Sequence, residues 1–241
     1  MKWEQLIQAD IRRTSGFPYP LFATAGAVRP FPHVPWFRAQ HPIHHSGSAM
    51  EDSRYIAPPD TLDAIEARTK ELGFGMASEP RTGALLRVLA ASKPSGRLLE
   101  LGTGTGIATA WLLSGMDAAS TLTSVDTDPK VQAVAQEALG KDPRLTLVTE
   151  DGAAFLRRQT PLSFDLVFAD AMPGKYEALD EALALVKLGG FYVIDDMLPQ
   201  PNWPQGHAEK VPILIDRLAA NPQFEIAPLI WSSGVVLAVR K

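Results

Sequence analysis

No cysteine occurs in the 241 residues. That excludes a disulfide framework, a thiolate zinc site and a cysteine nucleophile. It agrees with a reducing compartment. Long apolar runs are also missing. No stretch reaches the roughly 18 residues of a membrane span, and the N-terminus lacks the apolar core of a secretory signal. A cytoplasmic protein with no membrane contact is expected. There is no block of Lys or Arg, and the formal net charge is -4. A broad basic face for nucleic acid is therefore disfavoured, so no nucleic-acid partner is expected. What is present in quantity is apolar surface, 46% of the residues, which suits a globular core of ordinary size. The length fits one large α/β domain, or one domain plus an extension.

Composition changes near residue 50. Residues 1–49 hold Pro18, Pro20, Pro30, Pro32, Pro35 and Pro42, together with four of the five histidines. Prolines at this density oppose regular structure, because each fixes φ and removes a donor. Trp3, Phe17, Tyr19, Phe22, Phe31, Trp36 and Phe37 oppose a purely solvated linker. Two readings stand together. In one, 1–49 is an extended arm that packs on the domain or on a second subunit, which leaves a homodimer open. In the other it is an upstream tail, with Met50 the true start. The "HPIHH" segment at 41–45 has no spaced acidic partner to support a metal site. Residues 50–241 are expected to form the folded domain.

From residue 60 the pattern is regular. "DTLDAIEARTKELG" and "EPRTGALLRVLAAS" read as helices, with Asp60 expected to cap the first. Strands and helices then alternate. "RLLEL" (97–101), "TLTSVD" (121–126), "RLTLVTE" (144–150), "FDLVFAD" (164–170) and "GFYVIDD" (190–196) are strands, each followed by a helical segment. This alternation implies a parallel sheet with helices on both faces. Only "WSSG" separates the last two strands, "FEIAPLI" and "GVVLAVRK". That is too short for a parallel crossover, so they form an antiparallel hairpin.

Between the first strand and its helix lies "LLELGTGTGIATAWLL" (98–113). Gly102, Gly104 and Gly106 alternate, but Ile107 stands where a dinucleotide fingerprint needs Gly or Ala. No Lys follows, so it is not a phosphate loop either. Small residues at such a turn still let a ligand lie against the backbone. The strand ends carry Glu100, Asp126, Glu150 with Asp151, Asp170, and Asp195 with Asp196. Ligands bind along that edge of an open α/β sheet. A rim of seven carboxylates suits a ligand with a sulfonium and an ammonium but no phosphate. S-adenosylmethionine is such a ligand. Glu100, Gly102, Thr103, Gly104 and Gly106 would cradle it, and Asp126 with Thr127 would take the ribose hydroxyls. Asp151 and Gly152 would lie near the adenine, and Asp170 beside the reacting end.

"LLELGTGTG", "LTSVDTD", "VTEDG", "FDLVFAD" and "GGFYVIDD" together resemble the successive motifs of class I S-adenosylmethionine-dependent methyltransferases. More narrowly they resemble the catechol/caffeoyl-CoA O-methyltransferase-like branch. The resemblance covers roughly residues 74–241. It implies a doubly wound, Rossmann-like sheet of seven strands, mostly parallel with an antiparallel last strand. It implies an O-methyltransferase acting on a hydroxyl of a small, aromatic acceptor. It also implies a divalent cation such as Mg²⁺ on the matching positions Asp170, Asp195 and Asp196, the last of which is Asn in the family pattern. A closely following Lys would be the base, at position 173. This chain has Pro173, and the next candidate is Lys175.

Asp170 and Lys175 are therefore the expected catalytic pair, with His207 a second candidate base. Trp203 would either stack on an aromatic acceptor or staple the proline-rich loop. Trp111, Phe168 and Phe191 read as core. Rival readings are an NAD-dependent oxidoreductase on a similar sheet, which Ile107 opposes, and a non-catalytic S-adenosylmethionine-binding protein. Polyamine synthases are disfavoured by the few acids in 74–82 and 197–208.

Overall fold

A computed structural model of the protein describes residues 52–241. The expected arm at 1–49 lies outside the described residues. Seven strands form one sheet: β1 Arg97–Leu101, β2 Thr121–Asp126, β3 Leu145–Thr149, β4 Phe164–Ala169, β5 Val186–Ile194, β6 Phe224–Leu229 and β7 Val235–Arg240. Their order is β3-β2-β1-β4-β5-β7-β6. The first five run parallel. β7 is antiparallel to both β5 and β6, and only the five residues 230–234 join it to β6. Among the described residues seven α-helices accompany them: α1 Leu62–Leu72, α2 Pro80–Ala91, α3 Ile107–Gly115, α4 Pro129–Leu139, α5 Gly152–Arg157, α6 Leu179–Leu185 and α7 His207–Ala219.

Strand order decides where a ligand can bind. From β1 the chain winds outward through β2 and β3, then returns to place β4 and β5 on the other side. The connections leave β1 and β4 in opposite directions, so a crevice opens beyond their carboxyl ends.

Alternation along each strand builds two cores. Leu99 and Leu101 of β1, Val167 and Ala169 of β4, and Tyr192 and Ile194 of β5 face α5, α6 and α7. Leu98, Leu166, Phe168 and Val193 face the opposite layer, with α1 to α4. Burying each large side chain contributes about 1.5–3 kcal/mol. Trp111 and Phe168 are fully buried and Phe191 is partly so, which matches their reading as core.

Several local expectations change. Asp60 does not cap α1. The preceding residue is Thr61 in a helical conformation, and Leu62 N instead donates to the Pro59 carbonyl at 2.9 Å. The Pro58–Pro59 turn thus starts the helix without a side-chain cap. At its other end Gly73 takes φ +64°, and Phe74 N returns to the Thr69 carbonyl at 3.1 Å. This left-handed cap turns the chain sharply, so that 74–79 crosses the mouth of the crevice. The helical segment after β4 begins only at Leu179. The stretch before it is a tight turn that belongs to the site.

Gly83 lies mid-helix in α2, where glycine normally weakens a helix. Its missing side chain is occupied by Trp111: a Cβ there would sit 2.3 Å from the indole Cδ1. Gly83→Ala is expected to destabilise the protein by about 1–3 kcal/mol, because overpacking outweighs the gain in helix propensity. Urea unfolding should show a lower midpoint at an unchanged slope.

Candidate functional site

The glycine loop follows β1 directly. Gly102 has φ +101°, and a Cβ on it would lie 2.6 Å from the Asp170 carbonyl oxygen. Only glycine lets the ends of β1 and β4 approach this closely. Gly104 N donates to Asp126 Oδ2 at 2.7 Å, and Asp128 N to Asp126 Oδ1 at 2.9 Å. The carboxylate at the end of β2 therefore holds the loop while lining the groove. Gly106 has a packing role: a Cβ there would meet Ala135 of α4 at 2.7 Å.

The groove has a volume of about 280 Å³. Gly102, Thr103, Gly104, Asp126, Thr127 and Asp170 line it, together with Phe74, Ser78 and Ile107. A second recess of about 190 Å³ shares Gly102, Asp126 and Thr127 with it and extends to Glu150, Gly152 and Pro173. The two join as one trough at Gly102, Asp126 and Thr127. Small and apolar residues line it beside the carboxylates of Asp126, Asp128, Glu150 and Asp170.

Glu100, Gly106 and Asp151 do not line the trough. Asp151 caps α5, accepting from Ala154 N at 2.7 Å. Glu100 points inward on the same strand face as Leu98 and is 0% exposed. One of its oxygens accepts from Thr109 and Ser124, and the other has no partner. Burial, and then the charges of Asp170 and Asp126, push its carboxyl up to about 8. Glu100 is a neutral acid beneath the loop at pH 7. Ser124 continues to Thr103 at 2.6 Å, and Thr103 accepts from Gln132 at 3.0 Å. The expected rim of seven carboxylates is thus reduced to Asp126, Glu150, Asp170, Asp195 and Asp196.

After β4 the chain folds back on itself. The Met172 carbonyl accepts from the backbone N–H groups of Lys175, Tyr176 and Glu177, at 3.2, 3.0 and 3.1 Å. This turn brings Lys175 Nζ to 3.1 Å from Asp170 Oδ1, with the lysine side chain 4% exposed. Ser78 Oγ donates to Asp170 Oδ2 at 3.1 Å. Pro173 does not replace the lysine. It backs the second recess, against Gly152.

Asp170 also lines a separate polar cavity of about 100 Å³. Its wall also holds Asp195, Asp196, Ser78, Glu79, Gln200, Asn202 and Ser233, beside the 75–77 backbone stretch. Asp195 Oδ1 accepts from Ser233 Oγ and, at 2.9 Å, from Asp196 N. Burial, and then the charge of Asp170, raise the Asp195 carboxyl to about 7. Asp196 is raised for the same reasons. Sequence reasoning brought Asp170, Asp195 and Asp196 to one place, but it missed Ser78 and Ser233. The "WSSG" signal was read only as a hairpin connection.

Trp203 and His207 are not in the wall of this cavity. Their rings pack together with centroids 4.5 Å apart, and His207 Nε2 is 3.1 Å from Tyr176 Oη. Trp203 is partly buried against the hydrophobic core. Burial, then Lys175 and Lys210, lower the proton affinity of His207. Among the described residues no helix is long and apolar enough to cross a membrane.

A family described as "Methyltransferase domain" matches residues 99–197. A provisionally named O-methyltransferase of Mycobacterium ulcerans (strain Agy99) is 35% identical over 207 residues, covering 82% of this chain and 89% of that protein. A similarly named protein of Mycolicibacterium vanbaalenii is 33% identical over 162 residues, covering 65% of this chain and 69% of that protein. Among solved structures, the O-methyltransferase TomG of Streptomyces achromogenes, in complex with S-adenosylmethionine, aligns with a TM-score of 0.67 at 22% identity. It covers 78% of this chain and 93% of that one. An O-methyltransferase of Bacillus cereus in complex with S-adenosylhomocysteine aligns at 0.68 and 20% identity, covering 78% and 94%. At these identities the two structures speak for the fold alone.

The buried proton on Glu100 has a measurable sign. The folded value lies above the ordinary 4.5, so between 4.5 and about 8 the native state binds more protons than the unfolded one. The stability it contributes is complete below the lower value and is lost as pH rises through the upper one. In Glu100→Gln, the fall in denaturation midpoint between about pH 5 and about pH 8.5 should be smaller than in the wild type.

Proposed function

This chain belongs to the S-adenosylmethionine-dependent O-methyltransferases, and we propose that its acceptor is a small hydroxylated aromatic ring seated beside Asp170. One observation carries this reading. The trough and the small polar cavity share Ser78 and Asp170, so a cofactor and an acceptor placed in them meet at that carboxylate.

The chemistry asks little covalent help of the protein. The acceptor oxygen must lie in line with the bond between sulfur and methyl, and near-attack orientation can supply several kcal/mol. In our reading Asp126 takes the ribose hydroxyls and the recess beside Gly152 takes the adenine. The methionyl end lies along Gly102–Gly104 toward Asp170. An apolar cavity of about 150 Å³ can take a benzene ring. A polar one of about 100 Å³, open at one side, suits the hydroxylated edge of such a ring. Adjacent acceptors on Asp195 and Asp196, with Gln200 and Asn202 in the same wall, favour two neighbouring hydroxyls. Lys175 holds Asp170 in place. Its ammonium donates to that carboxylate, so it acts as a positioning charge and not as the base.

The resemblance also implied a divalent cation on Asp170, Asp195 and Asp196. The oxygens are of the right kind for a hard ion. Their arrangement does not fit one. Asp170 is held by Lys175 on one oxygen and Ser78 on the other, and Asp195 Oδ1 already takes two donors. Among the described residues no three His, Cys, Asp or Glu side chains gather closely enough to hold an ion. The positive charge of this site is that of Lys175.

Two measurements test this. Calorimetric titration with S-adenosylmethionine should show at least about tenfold weaker binding for Asp126→Ala, a loss of roughly 1.4 kcal/mol. Unchanged affinity would remove the ribose assignment. Methylation of catechol, followed by release of S-adenosylhomocysteine, should survive EDTA. A tight Mn²⁺ site seen by EPR in the cofactor-saturated protein, and lost in Asp195→Ala, would restore the metal-assisted alternative.

A further inference from the structure

The turn between Asp170 and Lys175 rests directly on the end of the sheet. A Cβ on Gly174 would lie 2.6 Å from Leu101 Cδ1 of β1 and 3.3 Å from Ala169 Cβ of β4. The Met172 carbonyl takes its three N–H donors, and Gly174 N donates to the Glu177 carbonyl at 2.8 Å. These bonds close the turn on itself. Two tyrosine hydroxyls tie it to neighbouring elements. Tyr192 Oη, from β5, donates to the Gly174 carbonyl, and Tyr176 Oη lies 3.1 Å from His207 Nε2 of α7. Lys175 stands between the two tethered residues.

The tethers differ in burial. Tyr176 is half-buried, so water can stand in for its bond. Tyr192 is 0% exposed and Gly174 is buried, so water cannot replace theirs. Packing alone does not ask for this hydroxyl. The Tyr192 ring lies in the apolar core with Leu101, Ala169 and Ile194, where Phe would present the same ring. A buried Tyr hydroxyl needs a partner, and here the partner is the turn. Burial also pushes the phenol above its ordinary proton affinity, so at neutral pH it is a donor. Tyr192 lines neither the trough nor the cavity. Its effect on the reaction must pass through the turn.

We propose that Tyr192 is a positioning residue: by holding the Gly174 carbonyl it keeps the 172–177 turn down on the sheet, and so keeps the Lys175 ammonium against Asp170. Without the hydroxyl the buried carbonyl loses that donor, and the turn must lift toward water to satisfy it. Lys175 follows the carbonyl directly in the chain and is carried with it. The kinetic consequence rests on the O-methyltransferase reading with the acceptor beside Asp170. The placement of Lys175 does not.

Tyr192→Phe tests this while keeping the ring. Lysines are acetylated with an N-hydroxysuccinimide ester, and the peptides are read by mass spectrometry. In the wild type the Lys175 side chain is 4% exposed and should react far more slowly than exposed Lys141. In Tyr192→Phe, Lys175 should react at least about tenfold faster relative to Lys141, as local opening of the turn requires. At saturating S-adenosylmethionine and catechol, kcat should fall about tenfold, short of the hundredfold that a 1 Å misplacement can cost. Lys175 as protected in Tyr192→Phe as in the wild type would overturn the proposal, whatever the urea midpoint, because the hydroxyl would then serve stability alone. Faster labelling at the wild-type kcat would overturn its bearing on the reaction. Wild-type protein that makes no S-adenosylhomocysteine from catechol would overturn the acceptor reading, and the labelling, which needs no acceptor, would still decide the role of Tyr192.

Discussion

Gly102 rests against the backbone of Asp170, and the geometry of the site depends on that approach. The two strand ends are tied from both sides. Gly102 N donates to Val125 of β2, and Asp170 N donates to Leu101 of β1, each at 2.8 Å. A side chain at 102 would push β4 away from β1. It would close the crevice that the strand order opens, and would carry Asp170 off the line between trough and cavity. The loop is therefore a spacer set to zero thickness as much as a ligand cradle.

Charge is managed around that point by burial rather than by number. A crowd of carboxylates at one sheet edge would repel itself at pH 7. The protein neutralises Glu100 by burying it, turns Asp151 to a helix cap and pairs Glu150 with Arg158. It gives Asp170 an ammonium that almost no water reaches. What remains for the ligands is a short acidic arc. A buried, paired charge of this kind is costly to strip of its partner, because the remaining charge is left without water or counterion.

Much of this was legible in the sequence. Apolar runs of strand length between helical segments gave the parallel sheet, and four residues between the last two runs gave the antiparallel edge. The alternating glycines marked the ligand loop, and the acids at the strand ends marked the rim. Alternation also held a signal that was not used: Leu98 and Glu100 share a strand face, so Glu100 faces the core. Other features had no local signal. Lys175 reaches Asp170 only because three N–H groups converge on the Met172 carbonyl, a turn that no residue pattern announces. Ser233 and Thr82 lie 151 residues apart in the chain, and their meeting depends on β7 lying beside β5. The missing cap at Asp60 reflects two prolines that already bend the backbone into the first turn.

The segment that crosses the crevice has a thermodynamic consequence. Met76, Ala77 and Ser78 belong to the walls of both the trough and the cavity, and Asn202 ties the stretch down by donating to the Gly75 carbonyl at 3.0 Å. Two ligands that lean on one partition do not bind with additive free energies. On the proposed reading, the first to arrive would fix the partition and spare the second part of any ordering cost. Such coupling is reciprocal by necessity: whatever the cofactor adds to the acceptor's affinity, the acceptor returns to the cofactor in equal measure.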